Sequence, residues 1–242
     1  MAAVATSEQV NQVRHFLARY RVRQTLADGR SPVPVCARRR HGGEIQPTDR
    51  ARMIQLLEVD TGALVAQARL ELNRRACDPL LPFEEQFAGE IHDRRLLGQA
   101  RADGAFAELG AVGIHRSCLR REDWLNPYVE GAALVDGVKE SGTDLLLEGL
   151  WAGIWALALN LGLERLYSVQ SPLVTAWARS HHFLFCTVGP RRSLDSGWAE
   201  LVMTDRALLR SSASEARVYF IDELREQLNG FWSVPERSVQ FM

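Results

Sequence analysis

From residue 8 to residue 26 the apolar side chains recur at helical spacing, with Val10, Val13, Phe16, Leu17 and Tyr20 sharing one face. The pattern predicts an amphipathic helix ended by Ala27-Asp28-Gly29, after which Pro32 and Pro34 hold the chain extended. The period then changes to two. Met53 to Val59 reads as a strand, Asp60-Thr61-Gly62 as a turn, and Ala63 to Leu72 as the hairpin partner. Pro79 and Pro82 bracket an irregular passage leading to a short helix around Glu84 to Phe87. Phe106 to Ile114 is a further strand with Gly110 and Gly113 inside it. Glycine there marks a bulge or a close backbone approach to a ligand.

A polar stretch from Arg116 to Glu140 follows, and Ser141-Gly142-Thr143-Asp144 has the S-x-x-D form that opens a helix. The next apolar run, Leu145 to Leu163, has the length of a membrane span. Glu148 and Asn160 lie inside it, however, and no basic anchor flanks it. Gly149, Ala152, Gly153 and Ala156 form a smooth stripe, while Leu147, Leu150, Trp151, Ile154 and Leu161 form a bulky one. Such a helix belongs at the centre of an α/β domain, its smooth side pressed on a sheet. Strands are expected at Glu164 to Val169, Phe183 to Val188 and Trp198 to Thr204, with helices from Pro172 to Ser180 and Val218 to Leu228. No repeat or linker interrupts the chain, so residues 1–242 are read as one mixed α/β domain.

Charge narrows the picture. With 29 basic and 30 acidic side chains, the chain has no basic excess for nucleic acid. Lys139 is the only lysine. Cys36, Cys77, Cys118 and Cys186 are far apart, and the N-terminus has no signal-peptide pattern. They are read as reduced, mostly core thiols of a cytoplasmic protein. His181, His182 and Cys186, with His115 and Cys118 elsewhere, lack metal-ligand spacing, so no metal is expected.

Four local motifs carry a family resemblance: Arg19-Tyr20-Arg21-Val22, Ala68-Arg69-Leu70, Leu81-Pro82-Phe83-Glu84 and Ala107-Glu108-Leu109-Gly110. In order and spacing they resemble the acyl-homoserine-lactone synthase and long-chain N-acyl amino acid synthase group of the GNAT acyltransferases, from about Arg14 to Gly189. The resemblance implies a central mixed, mostly antiparallel sheet with a splayed glycine-bearing strand and helices on both faces. The chain departs from the family at Ala111, where an arginine is usual, at Arg23, where an aromatic is usual, and at His182, where a glycine precedes the aromatic.

The resemblance also implies a chemistry: transfer of a fatty acyl group from a thioester to the amine of a small amino-acid-like acceptor. Glu108 is the candidate base, and the Gly110–Gly113 strand is a place for a backbone N–H to meet an oxyanion. Simple alternation puts Glu108, Gly110 and Val112 on one face. Arg69, in an otherwise apolar strand, needs a partner, either Glu108 or an acceptor carboxylate. By resemblance, Arg19, Gly110, Ala111, Val112, Thr143, Trp151, Val169 and Phe183 line the substrate. Trp151, Trp155 and Phe183 would line an acyl tunnel, although core packing is the more common explanation at these spacings. Coenzyme A enzymes of this fold usually hold a diphosphate at the start of the central helix. Here that stretch reads Lys139-Glu140-Ser141-Gly142-Thr143-Asp144, and the Asp144 carboxylate opposes an anion. This favours acyl carrier protein as donor and partner, with Arg94-Arg95, Arg120-Arg121 and Arg191-Arg192 available to meet it. No cofactor is expected beyond the acyl thioester co-substrate. A coenzyme A-dependent acetyltransferase and a catalytically inactive acyl-binding domain remain as alternatives.

Overall fold

The computed structural model describes residues 7–26, 50–92, 94–114, 142–194 and 197–230. Helix α1 (Ser7–Arg19) passes directly into strand β1 (Tyr20–Leu26), so the expected helix to residue 26 overruns by the seven residues of β1. Beyond Tyr20 the alternation of exposed Arg21, buried Val22 and exposed Arg23 takes over. The backbone there finds its partners across the sheet, antiparallel to β2 (Ala51–Glu58). The hairpin to β3 (Leu64–Asn73) forms as expected. Gly62 supplies its positive φ of 68°, donating its N–H to the Glu58 carbonyl at 2.8 Å.

Helix α2 (Pro82–Gln86) begins where Glu84 Oε2 accepts the Leu81 N–H at 2.7 Å. Helix α3 (Arg94–Asp103), a charged segment not foreseen, buries only Leu97 and Ala100. Strand β4 (Phe106–Ile114) and helix α4 (Gly142–Asn160) follow, then β5 (Arg165–Gln170) and α5 (Pro172–Ser180), which Ser171 caps by accepting the Val174 N–H at 3.3 Å. The strand expected over 183–188 shrinks to β6 (Cys186–Thr187), because Phe183 and Phe185 turn into the core. The chain closes with β7 (Arg192–Leu194), β8 (Gly197–Asp205), α6 (Arg206–Ser212) and α7 (Glu215–Gly230).

The strands form one sheet in the order β1-β2-β3-β4-β5-β8-β6, with β7 paired to β8. Only β4 and β5 are parallel to each other among these neighbours. The larger core lies on the face covered by α1, α4 and α7, and a second core of Leu81, Phe83, Phe87, Phe106, Tyr167 and Leu201 lies under α2 and α3. The sheet is thus mixed, mostly antiparallel and covered on both faces, as expected.

The smooth stripe of α4 seats that helix. A Cβ on Gly149 would lie 2.1 Å from Phe16, and one on Gly153 would lie 3.4 Å from Val22 and 3.6 Å from Ile54. Leu150, Trp151, Ile154 and Trp155 are buried around it. Among the described residues no helix is long and apolar enough to cross a membrane. Cys77 and Cys186 are free but exposed, which corrects their reading as core thiols; Cys36 and Cys118 lie outside the described residues.

Candidate active site

Strands β4 and β5 pair from Phe106 opposite Arg165 to Leu109 opposite Ser168, and the ladder stops there. Ser168 Oγ donates to the Leu109 carbonyl at 3.0 Å on this last rung. On the other side of β4, Ala68 faces Val112 and Leu70 faces Leu109. Gly110 and Ala111 therefore stand opposite Arg69 alone, a β-bulge at the point where β4 parts from β5.

The bulge changes the parity of the strand. Val112 and Ile114 join Ala107 and Leu109 on the α4 face. The expectation that Glu108, Gly110 and Val112 share a face is corrected accordingly, because the extra residue turns everything beyond it over. Gly110 itself is exposed. Of Ala111 only the backbone is described, and Val169 lies one residue past the last rung, half-buried against the α2-side core.

Since β4 and β5 are parallel neighbours, the connection between them must run back along the sheet. Helix α4 does so: Gly149 packs on Phe16 near the end of the sheet, and Gly153 one turn later packs deeper, on Val22 and Ile54. Its first turn, with Thr143, thus lies at the end where β4 and β5 separate. The side chains of Gly142–Asp144 and all of Lys139–Ser141 lie outside the described residues, as do Arg120 and Arg121. The register also brings Arg19 to this end of the sheet, next to Tyr20 opposite Glu58. Its side chain is 67% exposed and 3.6 Å from Glu58 on β2, the second strand of the sheet.

Glu108 is buried, 8% exposed, on the face covered by α2. Its Oε2 accepts the Phe83 N–H at 3.0 Å, which joins the Ala107–Gly110 motif to the Leu81–Glu84 motif. Arg69 does not take Glu108 as its partner. It donates from Nη2 to Glu71 Oε1 at 2.6 Å, two positions along its own strand. Glu71, in turn, is the residue directly opposite Glu108. The structure therefore adds Glu71 to the site. The signal was present in Ala68-Arg69-Leu70-Glu71-Leu72, whose alternation sends Arg69 and Glu71 to the same face.

Trp151 and Phe183, 2% and 3% exposed, lie with ring centroids 5.8 Å apart on the opposite side of the sheet. Trp155 is as deeply buried. Arg217 stacks 4.5 Å from the Phe183 centroid and reaches Glu148 at 2.9 Å. In this packing these rings serve the core. Among the described residues no group of histidines, cysteines and carboxylates is placed to hold a metal.

No family model and no curated protein matches the sequence. Solved structures do. MesI, a CoA-dependent acyl-homoserine lactone synthase, is 11% identical, with a TM-score of 0.50 over 85% of this chain and 95% of that one. BjaI, also a CoA-dependent acyl-homoserine lactone synthase, is 14% identical, with a TM-score of 0.48 over 90% of this chain and 83% of that one. FeeM, an N-acyl amino acid synthase from uncultured soil microbes, is 15% identical, with a TM-score of 0.43 over 70% of this chain and 76% of that one. The sheet order, the parting of β4 from β5 and the likeness to MesI together show a GNAT-like fold, shared with MesI.

Proposed function

We propose that this protein is an N-acyltransferase that moves a fatty acyl group from a thioester to the amine of a small amino-acid-like acceptor. The observation that carries the reading is the Gly110–Ala111 bulge at the point where β4 leaves β5. A strand that parts from its neighbour turns backbone amides toward whatever enters the gap, and the gap opens at the first turn of α4.

In this reading the acceptor nitrogen attacks the thioester carbonyl, and the resulting oxyanion is met by a backbone N–H of the bulged strand. Glu108, through a water, takes the proton that the nitrogen sheds as the C–N bond forms. Collapse breaks the C–S bond, and the leaving thiolate takes up a proton. The Phe83 N–H holds the Glu108 carboxylate in place for this.

Acyl carrier protein is the favoured donor, supported by Asp144 where a diphosphate-binding loop would carry a small residue. That donor places the enzyme in the cytoplasm. Acyl-coenzyme A is the second reading, supported by the CoA dependence named for MesI and BjaI. The test supplies one fatty acyl group on carrier protein and on coenzyme A, at equal concentration, with a panel of free amino acids. Thiol release and the intact mass of the amide are followed. Faster amide formation from carrier protein is expected. Faster turnover with coenzyme A replaces the donor, and no thiol release from either donor leaves an acyl-binding domain.

A further inference from the structure

Past the last rung with β4, strand β5 runs on through Val169 and Gln170 with β8 as its paired neighbour. Leu166 points into the α4-side core, while Tyr167 and Val169 point into the α2-side core. Alternation therefore sets Gln170 on the α4 face, at the lip of the gap. It is 7% exposed, and its Oε1 is buried with no hydrogen-bond partner among the described residues. An amide oxygen removed from water and left unpaired destabilises the fold until a donor reaches it.

Glu200 stands directly opposite Gln170 on β8, in a register without a break, so the two side chains share that face. Val202, two residues on, lies in the α4-side core, as the same alternation requires. Glu200 is half-buried and makes no hydrogen bond or ion pair among the described residues. Opposite side chains on an antiparallel pair have Cβ atoms about 5 Å apart, so the amide and the carboxylate are neighbours. Trp198, two residues before Glu200, is 61% exposed on the end of β8 that outruns β5. Two acceptor groups without a donor, beside an open indole, suit a ligand that donates hydrogen bonds and carries positive charge. An alkylammonium does both, and its methylenes and charge also suit the Trp198 ring.

We propose that Gln170, Glu200 and Trp198 bind a side-chain ammonium of the acceptor, which makes the acceptor a diamino acid. Its α-amine is acylated at the bulge while its second amine is held here. The first half of that sentence rests on the acyltransferase reading; the ammonium site rests on its own geometry. Neighbouring strands lie about 4.8 Å apart, so Glu200 stands roughly 10 Å from the bulge, across β5. A glutamate side chain and a ligand stem of three or four methylenes together span that interval.

The test uses the full-length protein and two probes, ornithine and norvaline, which differ only by the terminal ammonium. Calorimetry measures the binding of each, and thiol release from acyl carrier protein or acyl-coenzyme A measures turnover. Ornithine should bind about 10-fold or more tightly than norvaline, the scale of a hydrogen bond to a charged group. Glu200→Gln should fold with an unchanged thermal midpoint and bring ornithine binding down to the level of norvaline. Gln170→Leu should raise the midpoint, because it removes an unpaired oxygen from the interior, and should weaken ornithine binding. Equal affinity of the parent for the two probes would overturn the proposal, as would an ornithine preference that survives Glu200→Gln. A lower midpoint with unchanged ornithine binding in Gln170→Leu would also overturn it, since Gln170 would then serve packing alone. Ornithine binding that depends on Glu200, with no thiol release from either donor, would sink the acyltransferase reading and uphold the ammonium site. Acylation of norvaline as readily as ornithine would do the reverse.

Discussion

Gly149 of α4 and Phe16 of α1 meet so closely that a single methyl on the glycine would lie 2.1 Å from the ring. Alanine is the better helix former by about 1 kcal/mol, yet here the gain is outweighed by overlap with a fully buried aromatic. Gly149→Ala should destabilise the protein by roughly 1–3 kcal/mol, the usual scale of overpacking. For a chain of this size that is a fall of several degrees in thermal midpoint. Phe16→Leu should relieve part of the loss, so the two substitutions should be non-additive in a double-mutant cycle. An unchanged midpoint in Gly149→Ala would show that α1 yields at no cost.

Gly153 tests the same stripe one turn on. A Cβ there meets Val22 and Ile54 at ordinary contact distance. Gly153→Ala should therefore be near neutral or mildly stabilising. Gly153→Leu pushes three further carbons into β1 and β2, and should cost roughly 1–3 kcal/mol. Equal thermal midpoints for the alanine and leucine variants would mean that α4 does not rest on the sheet at this point.

Glu108→Gln keeps the size of a buried side chain and its bond from the Phe83 N–H, but removes its basicity. Turnover should drop about 10²–10⁴-fold, the scale of a lost general base, with donor affinity retained. Arg69→Lys keeps charge and loses the planar fork, so its effect should fall on acceptor KM. Gly110→Ala is the complementary probe. Its new methyl would be 3.6 Å from the Arg69 carbonyl, an ordinary contact, so stability should hold while turnover falls if a ligand lies against the bulge. Parental turnover in all three variants would place the chemistry elsewhere.

Asp78 gives a pH signature of stability. The Arg74 N–H at 2.8 Å holds its carboxyl below the ordinary value of 3.8; burial partly opposes this, and the Arg75 N–H and the Arg50 charge add to the lowering. A carboxyl lowered in the folded state stabilises it above the unfolded value and loses that contribution as pH falls through the folded one. Asp78→Asn should thus lower stability at pH 5–7, and the gap to the parent should narrow below about pH 4 as both forms become uncharged there. Urea midpoints across that range measure it; a gap independent of pH would assign the loss to packing.

Local chemistry alone was enough for several elements. Asp60-Thr61-Gly62 demands a turn, Ser171-Pro172 starts α5 at the residue expected, and the small-residue stripe of α4 announces a helix pressed on a sheet. Each depends on neighbours a few residues apart in the chain. The junction of α1 and β1 was hidden because Val13, Phe16 and Tyr20 fit a helix equally well, and only pairing with β2 makes the strand. Helix α3 was hidden because a charged segment with two buried side chains carries little periodicity. In the site, the sequence by itself named Glu108 and Arg69 as worth attention and placed Gly110 and Gly113 on the same strand as Glu108. It could not choose the partner of Arg69. Register decides which groups face one another: the rung of Leu70 with Leu109 sets Glu71, not Arg69, directly across from Glu108, and one extra residue at Gly110–Ala111 turns Val112 away from it. A bulge is a relation between two strands far apart in sequence, and the side-chain directions it dictates exist only once those strands are paired.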